Sequence, residues 1–393
     1  MSLDLPSLVP QIDAAGAAIA QELGDLAARL PRAVEALRAA SEIDPDALQV
    51  RLARAGDRWP GAIPTGDSLA RTFPPPNLDT PLHILGADGS QIPPDRHAAA
   101  LYYLINIGSL RYTAGSGEAP IARSAPSLHA GREELYLGDG RVIGTEIVHA
   151  RRDVAEMAEL ARLAEGCQPD PSLALLDNGL ILWIALQEQG QPRQEVDRLL
   201  QAYLDQLDRV RSAGAALAGI IDRPRHANVL TLLHLLNLPV DSVNADQLQA
   251  SPYLGLTDRS LFARVLDEGE RSAVFEYASI DARFQKAGHT LAFFYFRPIG
   301  SSEPMRVEIP MWVADSVDLM ERVHAGLIEQ GRTTGGFPYV LARAHELAVV
   351  SRAERQAVDG LFEGTLLRRG VHRERSSKQT AKDWLGGRRR HRV

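Results

Sequence analysis

Two apolar runs in this chain each lead into an aspartate and a glycine. Leu82-His83-Ile84-Leu85 precedes Ala87-Asp88-Gly89, and Leu173-Ala174-Leu175-Leu176 precedes Asp177-Asn178-Gly179. A strand that ends on a carboxylate and turns on a glycine projects oxygen ligands from a sheet edge, where Mg²⁺ or Mn²⁺ can be held. Asp-Gly and Asn-Gly are also ordinary turn dipeptides, so either motif alone reads first as a turn. The pair, 89 positions apart with a suitable order of elements between, reads as one two-carboxylate metal site.

At 393 residues the chain suits two domains, or one core with substantial additions. Its 45% hydrophobic content supplies a sizeable core. The single cysteine, Cys167, excludes an intramolecular disulfide and a cysteine-based zinc site. The N-terminus has no basic segment followed by an apolar one, and no stretch approaches the ~18 apolar residues of a membrane span. The expectation is a soluble cytoplasmic protein. Net charge is −7, but from Leu367 to Val393 there are ten Lys or Arg and two Asp or Glu. That tail carries +8, which leaves −15 on the rest. It reads as a solvated, disordered terminus or as a phosphate-attracting arm.

Along the chain, residues 1–58 are Ala/Leu-rich with helical spacing, and Pro31 and Pro45 are placed to start new helices. Trp59 to Pro81 reads as a linker. The core opens with a strand at 82–87. The run Ala98–Gly108 ends as a strand, and residues 133–149 give a hairpin signal around Asp139-Gly140. A helix is predicted from about Asp153 to Gly166, a strand at 173–176, helices at 181–188 and 194–213, and a strand at 216–221. A helix at 227–236, strands near 290–297 and 305–309 and helices near 313–330, 338–350 and 352–363 follow. This order predicts an α/β fold, an RNase H-like mixed sheet over about residues 80–225, with the helical N-terminal region and α/β C-terminal additions. The first and fourth strands of such a core lie side by side and parallel, so their carboxyl ends bring the two aspartates together.

The run ADGSQIPPDRHAAALYYLINIG resembles the first signature of the NurA nucleases, and LALLDNGLILW the second. AGIIDRPR (218–225), LTDRSLF (256–262), GERSAVF (269–275), MRVEIP (305–310) and GGFPYVLARAHELAVVS (335–351) match further motifs in order. The resemblance spans about residues 80–365 and leaves 367–393 as a basic tail. It implies an RNase H-like, metal-dependent deoxyribonuclease acting on single- and double-stranded DNA as a 5′–3′ exonuclease, an endonuclease or both. It also implies a homodimer that works with a HerA-type hexameric ATPase in processing DNA ends. The family's ligands map onto Asp88, a helical glutamate, Asp177 and His345, with Mn²⁺ or Mg²⁺ as cofactor. Glu156 is the preferred glutamate, with Glu159 one turn later as the alternative. Asn178 stands where the family has Gly, and Phe337 where it has Tyr. Tyr339 is the nearest phenol to take the latter's place.

Two cations held by hard oxygen ligands suit phosphodiester hydrolysis. A histidine ligand tilts the choice toward Mn²⁺, and His345 alternatively protonates a leaving oxygen. Gly115-Ser116-Gly117 lacks the Lys-Ser/Thr of a P-loop, so ATP-driven work falls to a partner. Arg223 and Arg225 suit phosphates or an ion pair. Tyr102, Tyr103, Trp183 and Trp312 read as core. The competing reading is a catalytically weak or inactive NurA-like subunit that guides DNA or regulates the motor, and the missing hydroxyl at Phe337 favours it.

Overall fold

The computed structural model describes residues 3–40, 44–56, 59–78, 81–96, 98, 100–186, 192–278 and 282–371. The α-helices in chain order are α1 (Leu5–Ala39), α2 (Pro45–Ala55), α3 (Arg132–Leu135), α4 (Thr145–Glu165), α5 (Arg193–Ser212), α6 (Asn228–Asn237), α7 (Ala245–Gln249), α8 (Asp258–Phe262), α9 (Ala282–Lys286), α10 (Met311–Ala314), α11 (Val317–Thr334), α12 (Tyr339–Ala348) and α13 (Arg352–Arg368). The strands are β1 (Ala62–Pro64), β2 (Thr72–Phe73), β3 (Leu82–Ile92), β4 (Tyr103–Ala114), β5 (Ile121–His129), β6 (Ser172–Asp177), β7 (Ala216–Ile221), β8 (Arg271–Ser272), β9 (Phe275–Tyr277), β10 (Leu291–Phe296) and β11 (Met305–Pro310). The chain divides into two discontinuous units. Residues 1–79, 178–180 and 216–338 form the first, and residues 80–177, 181–215 and 339–393 the second.

The second unit is built on the strand order β5–β4–β3–β6. β3 pairs antiparallel with β4 from Leu82↔Ala114 to Ile92↔Leu104, and β4 with β5 from Tyr103↔His129 to Arg111↔Ile121. β6 runs parallel to β3 from His83↔Ser172 to Ala87↔Leu176. The first and fourth strands of this unit are therefore parallel neighbours, the arrangement of an RNase H-like core. Side chains alternate across a strand. Gly86, Asp88 and Ser90 meet α12, while Gly89 and Gln91 meet α4. Both helices present small or apolar buried positions at helical spacing: Met157, Leu160, Ala161 and Ala164 on α4, and Val340, Leu341, Ala344 and Ala348 on α12.

In the first unit β1, β9, β10, β11 and β7 follow one another in the sheet, with β8 pairing β10 and β2. β10 (LAFFYF) is buried at every position, as a central strand covered on both faces must be. Phe262, Phe275, Phe293 and Tyr295 anchor its core, and the last turns of α1 join it through Leu30, Ala33 and Leu37.

Several sequence-based expectations differ from this. β3 does not end at Asp88 but continues to Ile92, because β4 pairs with it the whole way. The expected hairpin at 133–149 is the short α3 and a single bridge, Tyr136↔Val142, and α4 begins at Thr145 rather than near Asp153. The third strand of the sheet is β5, which the pattern did not announce. α1 runs straight through Pro31. Of the predicted helix at 181–188, residues 187 and 188 lie outside the described residues and the rest holds one 3₁₀ turn, Trp183–Leu186, in which Trp183 is 58% exposed rather than core. Of the basic tail, residues 372–393 lie outside the described residues, and Leu367 and Arg368 end α13. Among the described residues no helix is long and apolar enough to cross a membrane.

Candidate functional site

The last parallel pair between β3 and β6 is Ala87↔Leu176, so Asp88 and Asp177 stand next in register where the parallel pairing stops, at the carboxyl end of β6 and midway along β3. Asp177 closes β6. The residue after it, Asn178, has φ 104°, a left-handed conformation that Asn tolerates better than most residues.

Two glycines bring His345 to this edge. A Cβ on Gly86 would lie 2.8 Å from the Val340 carbonyl oxygen, and one on Gly108 would collide with the Ala344 carbonyl and the Ala348 amide. α12 therefore lies directly on the backbones of β3 and β4. It delivers His345, whose Nδ1 is 2.7 Å from Asp88 Oδ2. The imidazole is 62% exposed and the Asp88 side chain 15%.

α4 approaches from the other face. Glu156 is buried, and a Cβ on Gly89 would come within 2.6 Å of its Oε1. Gly89 is thus required by close packing rather than by the turn expected from the sequence. Arg152, one turn earlier, places Nε 3.0 Å from Glu156 Oε1 and bonds Gln91 and Asp153. Burial pushes the Glu156 carboxyl well above the usual range. Arg152 opposes this, while Asp153, Asp88 and Asp177 reinforce it. Glu156 therefore sits in the field of both aspartates.

Glu159 lies elsewhere. Its carboxylate accepts from Ser109 Oγ on β4 at 2.7 Å, and it pairs with Arg162 and with Arg123 on β5. Burial alone would raise its pKa, but Arg162, Ser109 and Arg123 outweigh that and hold it below the usual range.

Asp88, Asp177 and His345 thus stand at this edge, Glu156 lies across β3 within the field of the two aspartates, and Glu159 lies apart. The donors suit a hard divalent cation in kind, since a buried carboxylate in the field of two aspartates gains from a neutralising charge. They do not form a closed cage, because Asp88 and His345 sit on one face of β3 and Glu156 on the other. Among the described residues no group of three or more His, Cys, Asp or Glu side chains could hold a metal as it stands.

Elsewhere, Tyr102 stacks on Phe362 and Tyr103 on His129, both buried. Arg223 and Arg225 are exposed, and Arg223 lies 3.7 Å from Asp222. The Phe337 carbonyl accepts from the Thr334 hydroxyl, and the Tyr339 ring meets Tyr112 edge-on. Sequence reasoning missed Arg152, although its i,i+4 spacing to Glu156 is a readable ion-pair signal.

An antiparallel three-stranded sheet, a parallel fourth strand and aspartates paired where the parallel register stops define a member of the RNase H-like class. Residues 82–350 match the NurA domain, and the chain belongs to the NurA family of nucleases. Among solved structures it is similar to a crystal structure of NurA (11% identity, 74% of this chain and 90% of that chain, TM-score 0.41). It is also similar to NurA bound to dAMP and manganese (12% identity, 73% and 88%, TM-score 0.34). A third likeness is to the catalytic domain of human Endonuclease V (12% identity, 82% and 99%, TM-score 0.32). No curated protein matches the chain.

Proposed function

We propose that this chain is a divalent-metal-dependent deoxyribonuclease, with Asp88, Glu156, Asp177 and His345 as its metal-binding and catalytic residues. The observation that carries the reading is the convergence of Asp88, Asp177 and the α12 imidazole at one sheet edge, with a buried glutamate in their field. A bound Mn²⁺ or Mg²⁺ would neutralise phosphate charge and acidify a water. Imidazole among the donors favours Mn²⁺.

The chain's own residues do the rest. The Asp88 carboxylate orients the His345 ring through Nδ1, so in the neutral ring Nδ1 carries the proton and Nε2 is the acceptor. Nε2 is then the atom that serves as ligand, or that passes a proton to the leaving oxygen once protonated. Arg152 lies against Glu156 and offsets its charge, a task that a bound cation would share. The substrate reading is single- and double-stranded DNA, cut from the 5′ end, internally or both. The partner reading is a homodimer and a HerA-type hexameric ATPase. Both rest on family membership.

The second reading, a weak or inactive DNA-guiding subunit, is favoured by Phe337, which carries no hydroxyl, and by the open donor set. End-labelled single- and double-stranded DNA, digested with Mn²⁺, Mg²⁺ or EDTA, separates the two. Cleavage that needs metal and is lost in Asp88→Ala supports the nuclease. Absence of cleavage with every metal and with the ATPase present supports the guide.

A further inference from the structure

The first unit keeps a charged pair in its core. Arg306 and Glu308 on β11 are 0% and 2% exposed, with Arg306 Nε 3.3 Å from Glu308 Oε1. Arg306 also donates to Asn228 and Tyr295, and its guanidinium lies 3.5 Å over the Phe293 ring. Tyr277 donates its hydroxyl to Glu308. A buried ion pair is a poor source of stability, because desolvation consumes most of the attraction. Its remaining contact points to another use. Glu308 Oε2 accepts the backbone N–H of Leu180 at 2.9 Å.

Leu180 closes the three-residue segment 178–180, which follows Asp177 directly and belongs to the first unit. Every residue of that segment is pinned. Asn178 donates its N–H to the Ile220 carbonyl at 2.9 Å. Gly179 has no room for a Cβ because Glu308 Oε2 lies against it. A Cβ on Gly219 would come within 2.6 Å of the Asn178 carbonyl oxygen, so β7 is flush with the turn. We propose that Glu308, fixed by Arg306, is a positioning residue for the metal site, setting the turn 178–180 and through it the direction of the Asp177 carboxylate. This rests on the reading of Asp177 as a ligand, and it gives the MRVEIP motif a task that packing alone does not.

Replacing Glu308 alone would leave Arg306 as a buried, uncompensated charge, so the test removes both charges. The readout is Mn²⁺ binding by full-length protein, measured by titration calorimetry, with thermal unfolding in EDTA as the control. Arg306→Met with Glu308→Leu leaves the Leu180 N–H without its acceptor and should weaken Mn²⁺ binding by about 10- to 100-fold, the effect usual for partners behind a ligand. Arg306→Met with Glu308→Gln restores a carbonyl acceptor and should recover most of that loss at the same thermal midpoint. If the first pair fails to fold, Gly179→Ala serves in its place, since it keeps both buried charges while its Cβ presses on the Glu308 carboxylate and forces it off the turn. Wild-type affinity in the Leu pair or in Gly179→Ala overturns the proposal, as does a Gln pair that binds no better than the Leu pair. Wild-type protein that takes up no Mn²⁺ removes the metal reading itself. Loss in Asp177→Ala with none in the Leu pair removes only the positioning role.

Discussion

Asp88 and Asp177 sit at the rim of their sheet, and neither is counted among the buried side chains. On the proposed reading, replacing either with Ala should lower turnover at least about 100-fold, because the ligand it would remove has no substitute at that edge. Unchanged circular dichroism would show that folding is intact, and full activity with Mn²⁺ present would refute the assignment. The two glutamates of α4 should behave oppositely. Glu156→Gln removes a charge that burial opposes, so turnover should fall while the thermal midpoint in EDTA holds. Glu159→Gln weakens the links to Arg162 and Arg123 and should cost roughly 1–3 kcal/mol in urea unfolding while cleavage persists. The reverse pattern would make Glu159 the ligand. The sequence alone could not separate them, because both lie on one turn of one helix and both are buried. Only their neighbours on the sheet, a glycine at 89 and a serine at 109, tell them apart.

At the level of elements, Gly108→Ala tests whether α12 is held in place by the absence of a side chain. The new methyl meets the Ala344 carbonyl and the Ala348 amide, and both are backbone that cannot swing aside. Overpacking of this kind should cost about 1–3 kcal/mol. It should also lift His345 off Asp88, so activity should fall further than stability does. A variant with normal kcat and normal urea midpoint would show that the approach is looser than drawn. The sheet was legible wherever burial left an apolar run: β6, β7, β10 and β11 fall close to where periodicity put them. β5 was not, because nearly every residue of this edge strand is exposed and no alternation betrays it. The second half of β3 was hidden too. Gly89, Ser90 and Gln91 look like a turn until β4 pairs with them. The aspartates were readable from the apolar runs that lead into them, whereas the glycines that bring the helices down on them gain meaning only once α4 and α12 are in place.

Across the whole molecule, acid stability should depend on a histidine far from these residues in the sequence. His324 on α11 is buried, with Nε2 2.7 Å from the Gly269 carbonyl and its ring edge-on to Phe296. Burial lowers its pKa from 6.5 to about 4. Between those values the unfolded chain takes up a proton that the native one refuses, so this histidine withdraws stability as pH falls from about 6.5 to 4, by at most roughly 3 kcal/mol. Asp258, capping the amides of Val229 and Leu230 at the start of α6, works the other way. Burial raises it to about 6, a cost present above that pH and relieved on acidification toward 3.8. The two offset one another in the native protein. His324→Gln should unmask Asp258, so the variant's urea stability should gain on wild type as pH drops from 6.5 to 4. A difference that stays flat with pH would show that His324 titrates normally. The chain's path between its units has a different consequence, one of timing. A ribosome that has added residue 177 has already delivered both aspartates, yet α12 and its imidazole emerge only after residue 338, when all of the first unit has been made. On the proposed reading, a nascent or prematurely released chain would be a hydrolase without its last working part. It would be harmless to nucleic acid near its site of synthesis until the C-terminal helices arrive.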